Sequence, residues 1–142
     1  MSPTTFLRIA AIITLLYFAG HTSGYPWTPA VGSGEMPVIE AMKTHSFDVI
    51  GTMRTYWDFY VGFGLINGLL MLMLAIMLWQ LGAIAKTDAV RVRPIVATLL
   101  IGFIVNLVLA IQYFFVIPIV MSAAIVICLA GAFVTSGRKL SE

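Results

Sequence analysis

Residues 57–82 read WDFYVGFGLINGLLMLMLAIMLWQLG, and this run decides the fold. A helix crossing the hydrocarbon core of a bilayer, about 30 Å thick, needs about 20 apolar residues at about 1.5 Å each. The run from Trp57 to Gly82 meets that length and is the strongest apolar segment in the chain. Working outward, three more candidates appear: about Phe6–Gly24, about Ile95–Phe114 and about Ile117–Thr135. The last two cannot be one helix, because together they are far too long for a single crossing. Pro118 falls where the third must turn into the fourth, a position where proline suits a corner or a first helical turn.

Composition agrees with this pattern. Of the 142 residues, 61% are hydrophobic and only 10% are charged, whereas soluble domains are near half apolar and a quarter charged. Lipid must therefore be the solvent for much of the chain. The expected fold is all-α: four transmembrane helices in one integral membrane domain spanning residues 1–142, with a short amphipathic helix in the first extracytoplasmic loop, residues 25–55. The competing reading of residues 1–24 is a secretory signal peptide, since Arg8 precedes an apolar run of moderate length. No clean Ala-x-Ala site follows it.

The basic residues give an orientation. Lys86, Arg91 and Arg93 lie between the second and third runs, Arg138 and Lys139 follow the fourth, and Arg8 opens the first. Only Lys43 and Arg54 lie on the opposite side. This bias puts both termini and the middle loop in the cytoplasm of a multi-pass cell-membrane protein. Tyr25, Trp27, Tyr56, Trp57, Tyr60 and Tyr113 then gather at the outer interface, and Trp79 marks the inner one. A net charge of +2 is too small to suggest nucleic acid. The expected surroundings are the lipid bilayer, with a lipophilic small molecule or a membrane-protein partner as candidate ligands.

In the outer loop, the stretch from about Pro37 to Met53 reads as one helix, with Ser33 or Gly34 near its cap. At 100° per residue, Met36, Ile39, Met42, Phe47, Val49, Ile50 and Met53 fall on one half and Glu40, Thr44, His45, Asp48 and Thr52 on the other. Such a helix suits a lid on the membrane surface.

Polar residues inside spans cost free energy and often mark function. Asn67 and Asn106 fall at similar depth near the midplane, which suggests a hydrogen bond between the second and third spans. Gly64 and Gly68, with Gly62 nearby, and the stripe Gly102, Asn106 and Ala110 would let those spans approach closely. A second polar layer lies nearer the outside. His21 ends the first run, Asp58 opens the second, and Gln112 and Tyr113 close the third. Arg54 and Asp58, spaced i, i+4, would share a helical face, and Arg54 could also pair with Asp48. These residues define the candidate chemistry. Asp58 would serve as acid or base, His21 or His45 as proton shuttle and Arg54 as a charge holder. Asn67, Asn106, Gln112, Tyr113 and Trp57 would contact a ligand. The bland reading of Asp58 is a helix-start device favoured by the macrodipole. Cys128 is a lone cysteine in an apolar run, which excludes intrachain disulfide chemistry. The two histidines sit on different elements without ligand spacing, so no metal and no cofactor are expected.

The segment Arg54-Thr55-Tyr56-Trp57-Asp58-Phe59-Tyr60-Val61-Gly62-Phe63-Gly64 resembles the start of the second span in small bacterial four-span membrane proteins of uncharacterised activity. The resemblance implies a bacterial cytoplasmic-membrane setting and supplies no reaction. The sequence leaves two functions in front: a small enzyme of isomerase or cyclase type acting on, or a protein binding, a lipophilic molecule near the outer side, and a non-catalytic accessory subunit of a larger membrane complex.

Overall fold

The computed structural model describes residues 1–24, 32 and 34–137. The elements, in order, are α1 (Pro3–Gly24), α2 (Glu35–Thr44), β1 (Ser46–Val49), β2 (Thr52–Thr55), α3 (Tyr56–Ile84), α4 (Ala89–Tyr113) and α5 (Val116–Ser136). Four of the helices are long and apolar enough to cross a membrane. The fold is all-α in its bulk, as the apolar runs require. Tyr25, Trp27, Ser33, Arg138 and Lys139, used above for the interface, the cap and the orientation, lie outside the described residues.

Helix boundaries follow local chemistry. Ser2 caps α1, its Oγ accepting from the Thr5 N–H at 3.2 Å, and Pro3 takes the first helical position, where its missing N–H costs nothing. Asp88 caps α4, accepting from the Arg91 N–H at 3.0 Å. That cap starts α4 six residues before the expected Ile95, so Arg91 and Arg93 stand on the helix rather than in a loop. Phe114 and Phe115 are extended and form the corner between α4 and α5. Pro118 then sits in the first turn of α5, where no intrahelical N–H bond is lost.

The chain divides into two compact units, Met1–Phe18 with Met71 onward, and Ala19–Leu70. The first contains parts of all four long helices and the core. Leu7, Ala10 and Ala11 of α1, Leu78 and Leu81 of α3, Val92 and Val96 of α4, and Ile125, Cys128, Leu129 and Ala132 of α5 are buried together. Lipid tails are as apolar as these side chains, so close packing rather than escape from water must hold such helices together. Small residues make that approach tight. A Cβ on Gly82 would lie 3.3 Å from Arg8 Cγ and 3.5 Å from Leu7 Cβ, and one on Gly131 only 2.6 Å from the Phe6 ring. Gly102 behaves differently: a Cβ there would meet nothing within 4 Å. It faces open space rather than a packed interface, contrary to the small-residue stripe read from the sequence.

Within this unit α4 and α5 make the most extensive helix contact. Asn106 belongs to it. Its Nδ2 donates to Ser122 Oγ at 2.9 Å, a partner that is fully buried and that depth along the spans does not suggest. The basic side chains gather where α1 begins, α3 ends and α4 begins. The Arg8 guanidinium lies 4.8 Å from the centre of the Trp79 ring, and that of Arg93 4.5 Å from the centre of Phe133.

The second unit corrects the loop reading. The expected helix from Pro37 to Met53 is helix only from Glu35 to Thr44, after which the chain forms a two-stranded antiparallel hairpin. The turn is Ile50-Gly51, with φ of 51° and 80°. Positive φ at both central residues gives the turn whose twist matches a hairpin. Gly51 adopts it freely. Ile50 does so under strain, because β-branched residues rarely enter this region.

Candidate functional site

The first turn of α3 is built by a reciprocal cap. The Thr55 N–H donates to Asp58 Oδ2 at 2.8 Å, and the Asp58 N–H donates to Thr55 Oγ1 at 3.1 Å. This is a capping box, in which two otherwise orphaned donors of the helix start are satisfied at once. Asp58 is therefore first a helix-start residue, and one of its carboxylate oxygens is committed.

The hairpin register decides where Arg54 goes. Phe47 pairs with Arg54 and Asp48 with Met53. Cross-strand partners share a face and neighbours along a strand alternate, so Asp48 and Arg54 lie on opposite faces. The suggested Arg54–Asp48 pair does not form. Arg54 instead shares a face with Phe47, whose ring packs 4.8 Å from that of Tyr56 and 5.9 Å from that of Phe59, nearly parallel to the latter. Phe59 in turn meets Phe63 one turn further on, at 5.9 Å. These rings fasten the hairpin to the start of α3, and Arg54 lies on β2 rather than on the helix.

A groove of about 230 Å³ follows, lined by Arg54, Asp58, Phe59, Gly62, Phe63 and Ile66. Residues 58, 62 and 66 recur at i+4 and 59 and 63 do likewise, so one face of α3 forms the floor. Gly62 makes the notch, since a Cβ there would meet nothing within 4 Å. The apolar wall is phenylalanine and isoleucine, and the polar end is Arg54 with Asp58. Arg54 Nη1 donates to its neighbour's carbonyl, Met53 O, at 2.8 Å. Among the described residues the guanidinium has no other hydrogen bond and no ion pair.

The histidines lie elsewhere. His21 Nε2 is 2.9 Å from the Gly64 carbonyl oxygen. A carbonyl only accepts, so Nε2 carries the proton in this contact. Gly64 lies one turn before the buried Gly68 on α3. His45 stacks on Tyr56, with centroids 5.9 Å apart and planes 11° from parallel. Neither histidine lines the groove, so the expected set of carboxylate, cation and shuttle is divided: Arg54 and Asp58 come together, while His21 and His45 do not join them. Trp57 lies beneath Lys43, whose Nζ is 4.7 Å from the ring centre, and beside Tyr60. It too is outside the groove. Asn67 is exposed on α3. Asn106, Gln112 and Tyr113 belong to the first unit. There Asn106 is engaged by Ser122, and Gln112 and Tyr113 are exposed at the end of α4.

The groove residues missed in the sequence are Phe59, Gly62, Phe63 and Ile66. Their signal was the i+4 recurrence that starts at Asp58, which is easily lost in a run where nearly every residue is apolar. Among the described residues, no group of three or more His, Cys, Asp or Glu side chains could hold a metal ion. No family model, curated protein or solved structure matches the chain.

Proposed function

We propose that this chain is a small multi-pass membrane protein that binds a lipophilic molecule in the groove along the first turns of α3, on the extracytoplasmic side. The observation that carries the reading is the groove itself, with an apolar wall, a glycine notch and a charged polar end in one line. Most ligand pockets enclose about 300–1,000 Å³. A smaller open groove on a span suits part of an amphiphile whose remainder lies in the bilayer.

The orientation rests on the basic residues. Arg8, Lys86, Arg91 and Arg93 fall at the ends of α1, α3 and α4 that would face the cytoplasm. That bias supports an orientation with both termini inside and the hairpin outside. Binding rather than turnover is favoured because Asp58 Oδ2 is held by the cap and neither histidine reaches the groove. The second reading, a non-catalytic accessory subunit of a larger membrane complex, draws support from Ile50. It is fully exposed at the hairpin tip and held at positive φ, and strain of that kind persists where it serves a contact.

The test is purification of the full chain in mild detergent, followed by mass spectrometry of what remains bound. Wild type should retain a stoichiometric amphiphile, and Gly62→Leu, which fills the notch, should lose it. A stoichiometric protein in place of the amphiphile would favour the accessory-subunit reading.

A further inference from the structure

The groove's charges narrow the class of occupant. Arg54 and Asp58 both line its polar end, one cation and one anion, close enough for their charges to act on each other but with no direct hydrogen bond between them. Opposite charges side by side on one wall, each with hydrogen-bonding capacity to spare, match a ligand carrying both signs. The remaining local charge does not alter this balance, because Lys43 lies over the Trp57 ring, away from the groove. Two of the donors at the start of α3, the Thr55 and Asp58 N–H groups, are taken by the capping box. The side chain at the groove that suits an anionic headgroup is the guanidinium of Arg54, whose free N–H groups form a planar fork matched to phosphate. Asp58 Oδ1, which takes no part in the cap, is an acceptor for an ammonium.

We infer that the groove selects a zwitterionic phospholipid bearing a primary ammonium, its phosphate on Arg54, its ammonium on Asp58 and the first part of an acyl chain along Phe59, Phe63 and Ile66. This deepens the proposed lipid-binding function and rests on it. Asp58 supplies the selectivity: it attracts the ammonium and repels a headgroup with net negative charge. Arg54 supplies affinity for any phosphate-bearing head.

The experiment titrates delipidated full-length protein in detergent with phosphatidylethanolamine or phosphatidylglycerol of identical short acyl chains, followed by native mass spectrometry. Wild type should bind phosphatidylethanolamine several-fold more tightly. Arg54→Gln should weaken both lipids by about 5- to 10-fold, the size of one partly exposed charge-assisted contact. Asp58→Asn keeps an acceptor for the Thr55 N–H, so the helix start survives. It should bring the two affinities to within about twofold of each other. Gly62→Leu should abolish both. Equal wild-type affinities, or a preference that survives Asp58→Asn, would overturn the headgroup assignment. If Gly62→Leu still abolishes binding in that case, the groove stands as a lipid site and only the headgroup inference fails. Wild-type binding by Gly62→Leu would remove the groove, and the inference with it.

Discussion

Replacing Gly131 by alanine should drive a methyl group into the Phe6 ring. A Cβ at this position would lie 2.6, 2.7 and 2.8 Å from three ring atoms, Cε1, Cζ and Cδ1. Carbon contacts settle at about 3.5–4.0 Å, so the ring must retreat by about 1 Å. Three ring atoms are struck together, so the whole ring must move. Overpacking of this kind costs about 1–3 kcal/mol, while alanine gains about 1 kcal/mol over glycine within a helix. The informative quantity is therefore the coupling. In the wild-type background Gly131→Ala should be neutral or destabilising by up to about 2 kcal/mol. In a Phe6→Ala background the clash is gone, and the same change should stabilise by about 1 kcal/mol. The assay is unfolding in mixed micelles by titration with a denaturing detergent, followed by circular dichroism. Coupling below about 0.5 kcal/mol between positions 6 and 131 would refute the packing of α1 against α5.

Other consequences follow from local chemistry. Thr55→Ala removes half of the capping box and should cost about 1 kcal/mol in the same unfolding assay, while Thr52→Ala, exposed on the hairpin, should cost much less. Ile50→Asn relieves a β-branched residue at positive φ and should stabilise the hairpin by about 1 kcal/mol, read as slower amide exchange over residues 46–55. Asn106→Ala and Ser122→Ala should show a coupling of about 0.6–1.7 kcal/mol in a double-mutant cycle. Gly102→Leu, placed in open space, should leave both stability and lipid binding unchanged.

The legible and illegible parts of this molecule differ for physical reasons. The spans could be read because lipid imposes a length and a composition, and Pro118 could be placed at the corner because a helix interior would not accept it. The hairpin could not be read from the same rules. Phe47, Ile50 and Met53 fit a helical stripe, and the period-2 alternation of so short a segment is weak. Its turn also lacks the usual asparagine, since Ile50 occupies the place where asparagine or aspartate would have announced a hairpin. Depth alone paired Asn106 with Asn67, but depth fixes only one coordinate. Rotation about the helix axis decides the partner, and Ser122 meets the amide. At Asp58 the helix-start role was legible, because Thr55-x-x-Asp58 is a capping pattern in its own right. What the sequence concealed was the groove, because a face of α3 defined by Phe59, Gly62, Phe63 and Ile66 does not stand out in a helix that is apolar all round.

Cysteine accessibility in intact cells most directly tests the proposed orientation, four crossings with the hairpin outside. With Cys128, which is buried, replaced by alanine, single cysteines at Ser2, Thr52 and Thr87 would be probed with a membrane-impermeant maleimide. Thr52→Cys should be labelled in intact cells, and Ser2→Cys and Thr87→Cys only after permeabilisation. Labelling of Thr87→Cys in intact cells, with protection of Thr52→Cys, would contradict the orientation and remove the groove from the side on which it has been placed.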